Sequence, residues 1–182
     1  TIARNIRLNI PTHYIMREFP NIYEFDNDGV GKYISSDFKD LRPKSAHFSQ
    51  DKEGYWYYYD EYGQPGVGAE TIDGYDMYFH FGTRRQAKGE FVDVNGKVYY
   101  FDKDNGRKVK DTTFDINGKT YVADQSGILS IKSQSTERNR YISDSEGNWY
   151  YVNGKGDLLL GAQTIDNVKV YFDTKGVQYK GH

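Results

Sequence analysis

The chain has 182 residues, a formal net charge of −2 and no cysteine, so disulfides and thiolate metal sites are excluded. Its basic residues are scattered, whereas tight nucleic-acid binding needs a clustered positive surface, so no nucleic-acid partner is expected. No apolar run of membrane-spanning length occurs, which predicts no membrane span. With 18 tyrosines and only 37% hydrophobic residues, tyrosine rather than a large aliphatic core is expected to do the packing.

The first 50 residues carry only weak signals of structure. Residues 6–10 alternate apolar and polar side chains, which suggests a short strand. Residues 22–29 read as an eroded repeat, with an aromatic strand followed by a turn rich in Asn, Asp and Gly. Residues 34–50 are polar and irregular. We therefore interpret residues 1–50 as a degenerate N-terminal repeat and a connection.

A regular pattern begins at residue 51. The stretch Gly-Tyr-Trp-Tyr-Tyr-Tyr-Asp at 54–60 returns as Gly-Asn-Trp-Tyr-Tyr-Val-Asn at 147–153, at an offset of 93 positions. Between these copies Gly74, Gly96 and Gly118 recur every 22 residues, each after an Asp or Asn. Asp-Gly and Asn-Gly tolerate positive φ at both positions and make tight hairpin turns. Each period of 20–22 residues therefore predicts one β-hairpin.

A single hairpin cannot bury its own apolar face, but stacked hairpins can cover one another. The predicted fold class is therefore all-β, a repeat array of short β-hairpins stacked in a solenoid-like (β-solenoid) arrangement. We expect a first block of repeats at 51–130, an irregular connection at 131–144, and a truncated second block at 145–182. The abrupt start and the cut-off last repeat suggest a piece of a longer protein.

Several motifs together resemble the glucan-binding repeats of glucansucrases, which are secreted α-transglucosylases of lactic acid bacteria and oral streptococci. They are Gly-Ala-Glu-Thr-Ile-Asp-Gly at 68–74, Gln-Ala-Lys-Gly-Glu-Phe-Val at 86–92 and Val-Tyr-Tyr-Phe-Asp at 98–102, together with the Trp-Tyr-Tyr-Tyr-Asp stretch. These repeats are related to other cell-wall-binding repeats, including choline-binding modules. The resemblance covers residues 51–130 and 145–182 well and residues 21–33 weakly.

The resemblance implies a non-catalytic module that binds α-glucan, such as dextran or isomalto-oligosaccharides, and needs no cofactor. It also implies a parent enzyme that makes α-glucan from sucrose, with its catalytic domain as a partner in cis. By the same resemblance the protein is expected to be secreted or cell-wall-associated in a Gram-positive bacterium.

In the family that the motifs resemble, a tyrosine stacks on a glucosyl ring, and a Gln and a Lys from the following units bond its hydroxyls. Carried onto this chain, the resemblance implies a pocket of Tyr58, Gln86 and Lys97. Tyr78 and Lys88 are the alternates if the register differs by one strand.

A second candidate pocket, implied in the same way, combines Tyr151 with Gln178, and its Lys would fall beyond residue 182. Two units depart from the pattern, since Lys108 stands near the position of a Gln and Val122 replaces the stacking ring. We expect both of these units to be structural.

Other functions are less well supported by the residues. Asp102–Gly106 and Asp26–Gly29 look like the start of a calcium loop, but Thr113 stands where the first would need its Glu, so ordinary turns are expected. The four histidines share no metal-ligand spacing, and no acid/base pair of carboxylates is evident. No metal site or catalytic residue is therefore predicted.

Two alternative functions stay open. One is an anchoring module for choline or another wall polymer, although choline cages use several aromatic rings and the chain has only two tryptophans. The other is a purely structural spacer.

Overall fold

The computed structural model describes residues 23–25, 31–33 and 45–180, and every regular element in them is a β-strand. This confirms the all-β prediction. The strand predicted at residues 6–10 lies outside the described residues. The strands are β1 (Tyr23–Phe25), β2 (Gly31–Tyr33), β3 (His47–Gln50), β4 (Trp56–Tyr59), β5 (Gly68–Ile72), β6 (Tyr75–Phe79), β7 (Glu90–Val94), β8 (Lys97–Phe101), β9 (Thr112–Ile116), β10 (Lys119–Ala123), β11 (Leu129–Lys132), β12 (Arg140–Ser143), β13 (Trp149–Val152), β14 (Asp157–Leu159), β15 (Gly161–Ile165) and β16 (Val168–Phe172).

The chain divides into two compact units, an N-terminal unit of residues 1–66 and a C-terminal unit of residues 67–182. The N-terminal unit contains the antiparallel pairs β1–β2 and β3–β4. The C-terminal unit contains the hairpins β5–β6, β7–β8 and β15–β16, and a six-stranded sheet in the order β12-β13-β14-β11-β10-β9. In that sheet β11 pairs with β14, so the chain leaves the sheet after β11, forms the hairpin β12–β13 and returns to β11 with β14. The expected block boundaries stay predictions.

The hairpin turns have the predicted geometry. Asp73, Asn95 and Asn117 have φ of 51°, 53° and 49°, and each is followed by a glycine that also has positive φ. Two consecutive positive φ values give a turn whose twist matches that of the flanking strands. The turn between β15 and β16 reaches the same geometry with Asp166 and Asn167, at 50° and 65°, without a glycine.

A second kind of turn is built on an Asp or Asn side chain. In each case one side-chain oxygen accepts the backbone N–H groups two and four residues later, and the glycine three residues later has positive φ. In the turn at Asp144, for example, Oδ1 accepts from Glu146 and Asn148, each at 2.9 Å. The first residues of these turns are Asp51, Asp60, Asp124, Asp144, Asn153 and Asp173.

The buried core of the described residues is not mainly tyrosine. The fully buried large side chains are Phe79, Phe101, Phe172, Val98 and Val152. Tyrosine packs around this centre where its hydroxyl finds a partner: Tyr121 is 3% exposed and donates to the Thr174 carbonyl at 2.7 Å. The expectation that tyrosine does the packing therefore holds only in part: Tyr78 and Tyr121 belong to buried clusters, but the largest fully buried side chains are Phe and Val, which need no hydrogen-bond partner.

Hairpins that are distant in sequence lie against each other in the C-terminal unit. The Ala162 N–H donates to the Gly96 carbonyl at 2.8 Å, and the Tyr171 hydroxyl donates to Asp93 at 2.7 Å. Hairpin β15–β16 therefore contacts hairpin β7–β8, although β9–β10 and β12–β13 lie between them along the chain. A Cβ atom at Gly161 would lie 2.2 Å from the Gly96 oxygen, so this contact requires glycine at position 161.

We expect Gly161→Ala to destabilise the protein by at least about 3 kcal/mol, because the new methyl group would overlap the Gly96 carbonyl and the backbone has positive φ. Gly118→Ala is the matched control, since Gly118 has φ of 78° but open space around it. That control should lose only about 1–2 kcal/mol from the left-handed backbone. Urea unfolding of both variants tests this, and equal losses would contradict the contact.

The hydrogen bond to Asp93, followed by burial, raises the pKa of Tyr171 from 10.0 to about 12. The stabilising contribution of this bond is therefore fully present below pH 10 and is lost as the pH rises through about 12. Tyr171→Phe should remove one late-titrating phenol from the ultraviolet titration of tyrosinate. An unchanged late component in Tyr171→Phe would contradict this assignment.

Candidate functional site

One structural position recurs after the second strand of hairpins β5–β6, β7–β8 and β15–β16. The chain turns back, and a single residue pairs with the last residue of that strand. The pairs are Phe79 with Gln86, Phe101 with Lys108 and Phe172 with Gln178 in the C-terminal unit. Gln86, Lys108 and Gln178 are therefore equivalent, although the turn before Gln86 is one residue longer than the turn before Gln178. We call this the post-strand position.

The side chain at the post-strand position reaches the turn of the following hairpin. The Gln86 amide Nε2 lies 3.4 Å from the Asn105 carbonyl and 3.3 Å from the Met77 sulfur, and Gln86 is 7% exposed. A Cβ atom at Gly106 would lie 2.3 Å from the same Nε2. Lys108 reaches the turn at Gly127 in the same way, since a Cβ atom at Gly127 would lie 2.8 Å from the Lys108 Cδ. Glycine in these turns makes room for the side chain of the preceding hairpin.

Tyr58 and Tyr151, the two predicted stacking residues, have the same local environment. Each is half-buried and pairs across its hairpin with an aromatic residue. The Tyr58 ring centroid is 5.1 Å from that of Phe48, and the Tyr151 centroid is 5.1 Å from that of Tyr141. In both copies the facing ring fixes the tyrosine from one side.

Tyr151 and Gln178 are brought to one strand. The Gln178 backbone N–H donates to the Trp149 carbonyl at 2.7 Å, so Gln178 is held against β13, which also carries Tyr151. Residues two apart on a strand share a face, so Trp149 and Tyr151 lie on the same side of β13. The structure therefore groups the two residues of the second predicted pocket on neighbouring segments.

The remaining predicted residues are more dispersed. Lys97 is exposed at the start of β8, and Lys88 is half-buried. Tyr58 belongs to the N-terminal unit, whereas Gln86 and Lys97 belong to the C-terminal unit, so their grouping stays a prediction. Tyr78, the alternate stacking residue, is 8% exposed and lies in a core cluster, which leaves little of its ring for a ligand.

Lys108 has a different environment from the glutamines at its position. Its ammonium nitrogen lies 4.4 Å from the centroid of the Tyr99 ring and 3.9 Å from the Asp76 carboxylate. The same carboxylate accepts a hydrogen bond of 2.5 Å from the Lys110 ammonium group. The hydrogen bond from Lys110, followed by that from Thr71, lowers the pKa of Asp76, while burial lowers that of Lys108. The sequence analysis missed this cluster, although the basic residue at a position otherwise held by Gln was a usable signal.

Within the described ranges, no group of three or more His, Asp or Glu side chains is placed to hold a metal ion. The part of the chain that the structure describes also has no helix long and apolar enough to cross a membrane.

This is a repeat protein built from short β-hairpins. Its hairpins, their turns and the post-strand position all recur along the chain. Residues 67–114 match the model of the choline-binding repeat family. The resemblance found in the sequence is therefore confirmed.

The chain is also similar to large enzymes. It is 32% identical to glucosyltransferase-S of Streptococcus mutans over 74% of its length, and 35% identical to glucosyltransferase-I of Streptococcus downei over 88%. It spans only 7% and 9% of the length of these two curated relatives. A solved structure of alternansucrase in complex with isomaltononaose is 36% identical, with a TM-score of 0.40, over 76% of this chain and 10% of that one.

Proposed function

We propose that this chain is a non-catalytic carbohydrate-binding module for α-glucan, such as dextran or isomalto-oligosaccharides. The observation that carries the proposal is the backbone bond of 2.7 Å from Gln178 to Trp149, which holds an amide side chain beside the strand of Tyr151. The similarity to two streptococcal glucosyltransferases supports glucan as the ligand class.

The chemistry of these side chains suits a sugar. A pyranose ring packs its C–H face on an aromatic ring, and its hydroxyls need both donors and acceptors. A Gln side chain offers both, whereas Lys offers donors only. In the first predicted pocket, Gln86 is 7% exposed, and its amide nitrogen lies 3.4 Å from the Asn105 carbonyl, which is long for an N–H···O hydrogen bond.

Several weak sites would act together on a polymer. A site built from one ring and one or two polar side chains is expected to bind in the millimolar range, or about 4 kcal/mol. Once one site holds a glucan chain, the next site meets the same chain at a high effective concentration. The module would therefore hold a long glucan far better than a short oligosaccharide.

The repeats would be arranged for this purpose as a solenoid-like stack of hairpins. The contact between β15–β16 and β7–β8, which skips two hairpins, supports a superhelical path of the chain. Such a path would present the stacking residues one after another along the surface.

The parent protein is proposed to be a secreted glucansucrase that makes α-glucan from sucrose, with its catalytic domain in cis. In that setting the module would keep the enzyme on its own product. This part of the proposal rests on the named relatives, of which the chain covers less than a tenth.

A choline-binding function is the second candidate, because residues 67–114 match the choline-binding repeat family. A quaternary ammonium is held by a cage of several aromatic rings, often including Trp. The chain offers only Trp56 and Trp149 for such cages, and the described residues place them in different units. Glucan therefore remains the preferred ligand.

Electrophoresis in gels that contain dextran tests the main proposal. We expect dextran to retard the wild-type chain, and Tyr58→Ala and Tyr151→Ala each to weaken binding by about tenfold, since each removes one ring from a multivalent set. The double variant should lose the retardation. Tyr75→Ala, which removes another partly exposed ring, is the control and should keep it.

One outcome of these binding experiments would contradict the glucan-binding proposal. A chain that dextran does not retard, but that binds a choline-type resin and elutes with free choline, would favour the choline function instead. Unfolding midpoints of all variants should be measured alongside, so that lost binding is not confused with lost folding.

A further inference from the structure

An open cleft lies between three successive hairpins of the C-terminal unit. Its volume is about 470 Å³, within the range of roughly 300–1,000 Å³ that ligand pockets usually have. Its walls are the start of β10 at Lys119, the turn at 144–148 with Tyr150 behind it, and the turn at 173–177. None of the residues predicted to bind sugar lines this cleft.

Two of the carboxylates in the cleft already serve the turns. Asp173 caps its own turn, and Asp144 accepts the Asn148 amide at 3.0 Å and the Tyr150 hydroxyl at 2.9 Å. These bonds, with that from the Asn148 side chain the strongest, lower the pKa of Asp144 to about 2. They fix the Tyr150 ring in the wall of the cleft.

Three charged groups in the walls are available to a ligand. In the described part of the chain, the side chains of Lys119, Glu146 and Lys175 make no ion pair or side-chain hydrogen bond. The ammonium groups of Lys119 and Lys175 can donate hydrogen bonds, and the carboxylate of Glu146 can accept them. Tyr150 and Val177 add an aromatic and an aliphatic surface between these groups.

This mixture fits a neutral polyhydroxylated ligand better than an ion. Glu146 would repel an anion, and the two lysines would repel a cation. Hydroxyl groups, in contrast, can both accept a hydrogen bond from an ammonium group and donate one to a carboxylate. The single ring of Tyr150 cannot form an aromatic cage, but it can carry the C–H face of one sugar. Choline is therefore not an expected ligand of this cleft.

The cleft is separate from the predicted stacking site because of strand geometry. Neighbouring residues on a strand point to opposite faces, so Tyr150 and Tyr151 lie on opposite sides of β13. Val177 and Gln178 are likewise adjacent in sequence, and only Val177 lines the cleft. The same two segments thus have a second, outward surface that is not used by the pocket of Tyr151 and Gln178.

We propose that this cleft is an additional saccharide site, in which Tyr150 and Val177 support a glucosyl ring while Lys119, Glu146 and Lys175 bond its hydroxyls. The identity of the ligand as an α-glucan segment rests on the proposed function above. The site is a property of the C-terminal unit alone.

Amide NMR signals of the full chain during titration with isomaltotriose provide a direct test, because they report each site separately. We expect the signals of residues 145–148 and 174–177 to move as isomaltotriose reaches millimolar concentrations. The double variant Glu146→Ala/Lys175→Ala should weaken binding at these turns by about tenfold or more, because it removes two charged hydrogen-bonding groups. Shifts around Tyr151 should persist in that variant.

The control variant is Gln125→Ala/Ser126→Ala, in the turn at Asp124, which has the same cap but does not line the cleft. It should bind as the wild type does. If isomaltotriose moves other signals but not those of the two turns, or if the double variant still binds there, the proposed cleft is wrong while the glucan-binding function stands. If no signal moves anywhere, the proposed function itself fails. Movement of the turn signals by choline instead of saccharide would also overturn the assignment.

Discussion

A two-stranded hairpin exposes most of its apolar surface, and this constraint shapes the entire C-terminal unit. Each hairpin must be covered by another, and connections such as residues 80–89 and 102–111 lead from one hairpin to the next along the chain. The hairpins meet through β-pairing, as between β11 and β14, and through close backbone contact, as between Gly96 and Ala162. Phenylalanine fills the most buried positions, which leaves tyrosine at the rim, where its hydroxyl bonds to a neighbouring hairpin and its ring can face outward.

The rim position of tyrosine connects folding with function. A ring that is half-buried, such as that of Tyr151, is held by its neighbours while part of its surface remains exposed. A ring that is fully enclosed, such as Tyr78, serves the core instead. The post-strand side chain has a comparable double role, because it packs on the glycine turn of the next hairpin and also supplies polar atoms. A binding function at these positions would thus use groups that the stack already orders.

Local signals in the sequence predicted local structure well. The Asn-Gly and Asp-Gly pairs located the hairpin turns, and the spacing of the motifs identified the equivalence of Tyr58 and Tyr151, whose rings indeed have matching partners. The longer turn before Gln86 was visible in the sequence, and that residue still takes the position of Gln178.

Contacts between distant segments could not be predicted in the same way. The pairing of β11 with β14 crosses an irregular stretch, and no residue in it indicates a partner. The cleft beside Tyr150 needs the turns at 144–148 and 173–177 to be adjacent, which depends on how the hairpins stack. The recurring Asp, with glycine three residues later, marked these turns in the sequence, but not their proximity. Whether a tyrosine is buried or available also depends on which hairpin covers it.

The contact of hairpin β15–β16 with β7–β8 has a consequence for how such a chain can diverge. Part of it is made by backbone atoms, at Gly96, Gly161 and Ala162, and that part does not depend on the chemistry of nearby side chains. As long as the glycines and the turn caps persist, a unit can exchange its outward residues without disturbing its neighbours. For the proposed binding function, ligand preference can therefore change from one repeat to the next while the scaffold stays the same.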